Sequence, residues 1–176
     1  RTAGIVAQSL RLLGLQVTEG VGGTGVVGTL QCGGDSSGVA GQGPSVGLRA
    51  DMDALPMVEL GQRSYASRHA GKHHGCGHDG HTAMLLGAAR YLSENRGLKG
   101  TAVFVFQPAE EGLGGARSMI AEKLFERFPC DEIYGIHNMP GFDVGHFGFR
   151  KGPTMASSNR FDIFVRGTGG HAAQPH

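Results

Sequence analysis

The sequence predicts an α/β protein, a three-layer α/β/α arrangement built on a mixed, largely parallel sheet. Three observations carry that expectation. Apolar, β-branched runs alternate along the chain with segments whose apolar residues recur at helical spacing, the order that gives a sheet covered on both faces. Two of the runs, Val46–Ala50 and Thr101–Phe106, have the character of buried strands. Reactive side chains then follow three of the runs, at Asp51-Met52-Asp53, Glu110-Glu111 and His137, where the crevice of an open α/β sheet lies.

The elements follow in order. Ile5, Val6, Leu10 and Leu13 mark one face of a helix that Gly14 ends, and Leu15-Gln16-Val17 starts extended chain. Gly20-Val21-Gly22-Gly23-Thr24-Gly25 matches GxGxxG in form. A dinucleotide loop must open a helix, however, and Val26-Val27-Gly28-Thr29-Leu30 is strand-like, so these glycines are expected to turn one strand into the next. Cys32–Pro44 is Gly/Ser-rich and is expected to be a surface loop. The strand Val46–Ala50 runs into Asp51-Met52-Asp53 and is closed by Pro56, after which an irregular loop extends to Gly80. Thr82 is expected to cap a helix reaching Arg96, with Met84, Leu85, Ala88, Ala89 and Leu92 at helical spacing and Gly97 as its stop. After the strand Thr101–Phe106, Gly115–Phe128 is expected to be one helix with Met119, Ile120, Leu124 and Phe125 on one face. Asp131–Ile136 is a strand ending at His137, and Phe161–Val165 is expected to be a further strand.

Composition narrows the function. Glycine supplies 32 of 176 residues without a Gly-X-Y period, which excludes a collagen-like chain. Sixteen Lys and Arg against fifteen Asp and Glu leave a net charge of +1 with no basic run, so no nucleic-acid partner is expected. The longest apolar runs, such as Ala102–Phe106, fall far short of the roughly 18 residues of a membrane span, so no membrane partner is expected either. The chain opens on Arg1-Thr2-Ala3 without a signal-peptide pattern, and a cytoplasmic protein whose start lies upstream is expected. Cys32, Cys76 and Cys130 are odd in number and irregular in spacing, which argues for thiols rather than a disulfide framework. Of nine histidines, six lie between His69 and His81 or at His137, a density that invites a metal.

The strongest local candidate is Gly75-Cys76-Gly77-His78-Asp79-Gly80-His81. In a non-helical segment a thiol and an imidazole two residues apart face the same side, and the glycines permit close backbone approach. The bland alternative is a Gly-rich turn with a buried cysteine. A closed structural zinc site would need a second paired motif, which the chain lacks. Glu110 and Glu111 sit just past a buried strand and point in different directions, so one can bind metal while its neighbour faces water. His137 would reach the same crevice from the next strand, although a lone strand-end histidine is more often a scaffold residue. Mixed thiolate, imidazole and carboxylate donors suit Zn²⁺, Co²⁺ or Ni²⁺ better than Mg²⁺ or Ca²⁺. An open metal site beside a carboxylate base is the chemistry of metal-assisted hydrolysis.

Five ordered segments carry a family resemblance: Leu48–Pro56, Gly75–Thr82, Gln107–Gly112, Gly135-Ile136-His137 and Gly167–Ala173. Together they resemble the successive motifs of the M20 metallopeptidase superfamily, nearest its aminoacylase and amidohydrolase branch of hippurate hydrolases, N-acetyldiaminopimelate deacetylases and auxin-conjugate hydrolases. The resemblance implies two divalent metal ions (Zn, Mn, Co or Ni) held by Cys76, His78, Glu111 and His137, with Glu110 as the general base. Asp53 matches an aspartate that orients a metal-binding histidine from behind. His171 matches a lid histidine that reaches the neighbouring subunit's site and stabilises the oxyanion. Residues 1–156 would then form the first part of a catalytic domain, and 157–176 the first segment of an α+β lid through which a homodimer or higher oligomer assembles. The implied reaction is hydrolysis of an N-acyl amino acid, with a di- or aminopeptidase or a non-catalytic metal-binding relative as alternatives. Members of the superfamily are longer and supply a further histidine ligand from a distal segment, so the chain is expected to be part of a longer protein that binds metal weakly without the rest.

Overall fold

A computed structural model describes residues 1–33, 43–97, 99–157, 159 and 161–174. The expected Gly/Ser-rich loop falls largely outside the described residues. The chain divides into two compact units, Arg1–Met139 and Pro140–His176.

The first unit is an α/β sandwich. Its elements are α1 (Thr2–Leu12), β1 (Gln16–Val21), β2 (Gly25–Cys32), β3 (Ser45–Asp51), α2 (His78–Glu94), β4 (Gly100–Gln107), α3 (Gly115–Ala121), α4 (Leu124–Arg127) and β5 (Glu132–Gly135). The five strands lie in the order β1-β2-β4-β3-β5. β1, β2 and β4 pair antiparallel in succession, whereas β3 runs parallel to both β4 and β5. The sheet is therefore mixed, as expected, with two antiparallel and two parallel pairings rather than a largely parallel set, the parallel ones on the side of the reactive residues. The glycine run is the β1–β2 turn, with Gly22 and Gly23 at positive φ, and no helix follows it.

Side-chain alternation along the central strands explains the three layers. Val26, Leu30, Ala102, Phe104 and Phe106 face one side and pack with Val6, Ala7 and Leu10 of α1 and Leu85 and Ala89 of α2. Val27, Val103 and Val105 face the other and pack with Met119 of α3 and Leu124 of α4.

Three elements differ from expectation. α2 starts at His78 rather than after Thr82, with Gly77 at its N-cap. The Thr82 hydroxyl instead donates to the Asp51 carbonyl at 3.2 Å, tying the helix to the end of β3. The helix expected over Gly115–Phe128 is two, because Lys123 adopts a left-handed φ of 63°. That turn keeps Met119 and Leu124 in the core while Ile120 and Phe125 are exposed. In the second unit Phe161–Val165 is not a strand, and the described residues there form no helix or strand. A strand needs a ladder of backbone pairing to a neighbour, and among the described residues no β-bridge involves this run. The pairing seen in this unit is a single bridge between His171 and Gln174.

β3, β4 and β5 share one direction, so their carboxyl ends open on the same rim of the sheet. β5 is pinned there at its start by Asp131, whose carboxylate accepts from the Ser45 backbone N–H at 2.7 Å and from its hydroxyl at 3.1 Å. The backbone bond, then the hydroxyl, hold the Asp131 carboxyl below the ordinary carboxylate range against a small opposing effect of burial. A carboxyl with a depressed folded pKa stabilises above its unfolded pKa of about 3.9 and loses that contribution as pH falls through the lower folded value. The stability difference between wild type and Asp131→Asn is thus expected to shrink across that acidic window. Thermal melts at stepped pH measure it; a difference constant with pH would contradict the pinning.

Candidate metal centre

Four segments converge on the rim. Asp51 ends β3, with Asp53 two residues on, and Asp51 lies beside Gln107, the last residue of β4. The Met52 N–H donates to the Gln107 carbonyl at 3.0 Å, holding the two strand ends together. Past β4 the chain turns through Ala109, at a left-handed φ of 51°, and presents Glu110 and Glu111. The turn is locked by the Gly115 N–H donating to the Ala109 carbonyl at 3.0 Å. His137 follows the end of β5. Cys76 lies just before α2, and His78 is the first residue of that helix.

The first turn of α2 places two imidazoles inward. His78, His81, Thr82, Leu85 and Ala89 are its buried residues, one stripe at helical spacing whose upper end is polar. His78 Nδ1 lies 3.0 Å from the Asp53 carbonyl oxygen and 3.2 Å from Asp53 Oδ1. A carbonyl oxygen only accepts, so Nδ1 carries a proton, and in the neutral ring Nε2 is the lone pair. That Nε2 is buried without a hydrogen-bond partner. It faces Asp51 Oδ2 at 3.7 Å and Glu111 Oε1 at 3.8 Å.

A lone pair facing two carboxylates is an arrangement that a cation relieves, since an unpaired buried acceptor costs about 1–3 kcal/mol. Asp53 completes the pattern by accepting from His78 with one oxygen and from the Glu111 N–H with the other at 3.1 Å. A carboxylate behind a histidine fixes the ring's tautomer and aims its other nitrogen.

His137 repeats the logic. Its Nδ1 lies 2.6 Å from the Asn138 carbonyl and must donate to it, and its Nε2 is hydrogen-bonded to Cys76 Sγ at 3.4 Å. Burial pushes the Cys76 thiol above its ordinary value, and the hydrogen bond to Glu111 and the charges of Glu111, Glu110 and Asp51 push it further. Those carboxylates oppose a free thiolate; a divalent cation among them would reverse the balance. Burial pushes Asp51 up, but the His81 hydrogen bond and the charges of Arg49, His78 and His81 outweigh it and hold the carboxyl below the ordinary range.

Three groupings place ligand atoms within 4.8 Å of one another: Cys76, His78 and His137; His78, Glu110 and Glu111; and Asp51, His78 and His81. The first two bring together Cys76, His78, Glu110, Glu111 and His137, all picked out in the sequence. The third contains Asp51 and His81, which sequence reasoning left out of the site. The signal was present in the inward spacing of His78 and His81 on a helix beginning four residues earlier than expected. His171 lies in the second unit, where its Nδ1 accepts from the Ala173 N–H at 3.2 Å.

Gly77 makes this assembly fit. Its φ of 89° turns the chain into α2, and an added Cβ would fall inside the Asn138 side-chain amide. Gly77→Ala is expected to cost about 1–2 kcal/mol from the left-handed backbone alone, plus the displacement of Asn138. A thermal melt should show a clearly lowered midpoint; an unchanged one would contradict the packing.

No described helix is long and apolar enough to cross a membrane. The pattern that defines peptidase family M20/M25/M40 matches residues 47–173. The hippurate hydrolase of Campylobacter jejuni is 47% identical over 174 residues, covering 99% of this chain and 43% of that protein. Thermostable carboxypeptidase 2 of Saccharolobus solfataricus is 45% identical over 179 residues, again covering 99% of this chain and 43% of that protein. Among solved structures, a dinuclear metal binding peptidase of family M20 from Bacillus subtilis superposes with a TM-score of 0.72 at 36% identity, over 82% of this chain and 38% of that one. The chain thus spans less than half the length of each of these relatives.

Proposed function

The chain belongs to peptidase family M20/M25/M40, and from that premise we propose that it is the metal-binding part of an amidohydrolase that cleaves N-acyl amino acids. The observation that carries the metal is the buried, partnerless Nε2 of His78. Cys76, His78, Glu111 and His137 would hold two divalent ions, of Zn, Mn, Co or Ni. Soft thiolate and imidazole donors mixed with carboxylates suit such ions. When bound, the metal supplies Lewis acidity toward a carbonyl oxygen and acidifies water near neutral pH.

Glu110 takes the proton of the attacking water and returns it to the departing nitrogen. Water adds at the amide carbon, the C–N bond breaks, and a carboxylate and an amine leave. His78 and His137 keep their Nδ1 protons on Asp53 and on the Asn138 carbonyl, so both rings stay aimed inward throughout. The family resemblance extends the proposal to a lid beginning at 157–176, to a dimer formed through it, and to His171 as a donor to the oxyanion in the neighbouring subunit.

The likeness to a hippurate hydrolase supports an N-acyl amino acid as substrate, and the likeness to a carboxypeptidase supports peptide cleavage as the second reading. Amine release from the full-length, metal-loaded protein separates them. N-benzoyl and N-acetyl amino acids are expected to be cleaved with kcat/KM at least about tenfold above dipeptides, a preference of about 1.4 kcal/mol. The reverse ranking would establish the peptidase reading, and cleavage of neither would favour a non-catalytic relative.

A further inference from the structure

The proposed ligands and base leave a buried imidazole without a task. His81 is 1% exposed and lies one helical turn after His78 on the inward face of α2. Unlike His78, both of its nitrogens are engaged. His81 Nδ1 donates to the Asp51 carboxylate oxygen Oδ1 at 2.6 Å, and its Nε2 lies 2.6 Å from Asn138 Oδ1 and 3.0 Å from the Asn138 backbone nitrogen. Asp51 is tied in turn to Arg49 Nη1 at 2.9 Å through its other oxygen. With no lone pair left over, His81 does not serve as a ligand, although it lies within the Asp51 and His78 grouping.

What His81 holds is the chain that carries His137. The residues after β5 are irregular backbone, and β5 itself is exposed along its length. Asn138 is fastened by its N–H to His81, and its carbonyl accepts from His137 Nδ1. The His81 and His137 rings also meet edge to face, with centroids 4.4 Å apart. One buried ring thereby fixes the height of a flanking segment whose carbonyl sets the tautomer of a proposed ligand.

We propose that His81 is a positioning residue, which through Asn138 holds His137 so that its Nε2 and the Cys76 thiol face one cation. This rests on the metal reading above. The relay runs from Arg49 through Asp51, His81 and Asn138 to His137.

The test is a Co²⁺ titration of the full-length protein, read by the thiolate-to-cobalt charge-transfer and d–d absorption. Wild type is compared with His81→Phe, which keeps a ring against His137 but has no nitrogens, and with His81→Gln, which can still donate to Asp51 and accept from Asn138. His81→Phe is expected to weaken Co²⁺ binding by about 10–100-fold, the usual effect of losing an outer hydrogen-bond partner, and to alter the spectrum. His81→Gln is expected to lose less affinity, with a smaller spectral change. A folded His81→Phe protein with wild-type affinity and spectrum overturns the proposal, even if its melting temperature has dropped, because a merely structural role would move stability alone. Should His81→Phe not fold, His81→Gln decides: a weakened affinity with a shifted spectrum supports positioning, and wild-type behaviour in both overturns it. If wild type itself binds no Co²⁺, the metal reading fails and this proposal fails with it.

Discussion

Glu110→Gln is expected to lower kcat by about 10²- to 10⁴-fold while the protein retains its metal. The adjacent carboxylates divide their work by what holds them. Glu111 is drawn into the cradle, its N–H bonded to Asp53 at 3.1 Å and its Oε1 3.8 Å from His78 Nε2. Glu110 lies in the same grouping but is exposed, and no hydrogen bond ties its carboxylate to another described residue. A carboxylate at the mouth of a polar site, free to turn toward water, suits a base better than a ligand. Glutamine keeps the shape and removes the basicity, so KM and metal content should change little. Initial rates of amine release, with metal measured on the same samples, decide it. Activity within tenfold of wild type would remove Glu110 from the role.

His78→Gln is expected to abolish metal-dependent stabilisation. His78 is the one residue common to all three ligand groupings, and its Nε2 is already stripped of other partners. A ligand that binds only the folded protein raises stability by RT ln(1 + [L]/Kd), about 2.7 kcal/mol at a hundredfold excess over Kd. Wild type should therefore melt at a higher temperature when Zn²⁺ or Co²⁺ is added, and the variant should not. Asp53→Asn makes the informative comparison. It weakens the support behind the ring without removing the lone pair, and a loss of about 10–100-fold in affinity is expected from such a change. Equal metal-induced shifts in wild type and His78→Gln would contradict the placement of the ion at His78.

The legible parts of this molecule were those in which a local pattern decides the outcome. The glycines before Val26 could not open a helix because a β-branched run follows, and they form the β1–β2 turn. Glu110, Glu111 and His137 stood out because reactive residues past the ends of buried strands share one rim, and Cys76 and His78 because a thiol and an imidazole lie two apart in a Gly-rich segment; the parallel strands and the start of α2 bring them together. The illegible parts depend on long-range partners. Thr82 has the chemistry of a helix cap, but the Asp51 carbonyl takes its hydroxyl, and the cap falls to a left-handed Gly77. Asp51, His81 and Asn138 are an ordinary aspartate, histidine and asparagine until the sheet brings residues 30 and 57 positions apart into contact. Lys123 breaks a well-patterned helix by adopting a backbone conformation that apolar spacing does not report. Phe161–Val165 has the composition of a strand but makes no β-bridge among the described residues.

The most direct test of the metal-dependent hydrolase is a single reconstitution of the full-length protein. The protein is stripped with a chelator, metal is returned in measured equivalents, and N-acyl amino acid hydrolysis is followed at each addition, with Glu110→Gln in parallel. The expected result is an inactive stripped protein, activity that rises to a plateau at two equivalents, and a Glu110→Gln protein that takes up the same two equivalents without turning over. Full activity in the stripped protein, or a metal-loaded wild type that cleaves neither N-acyl amino acids nor peptides, would contradict it.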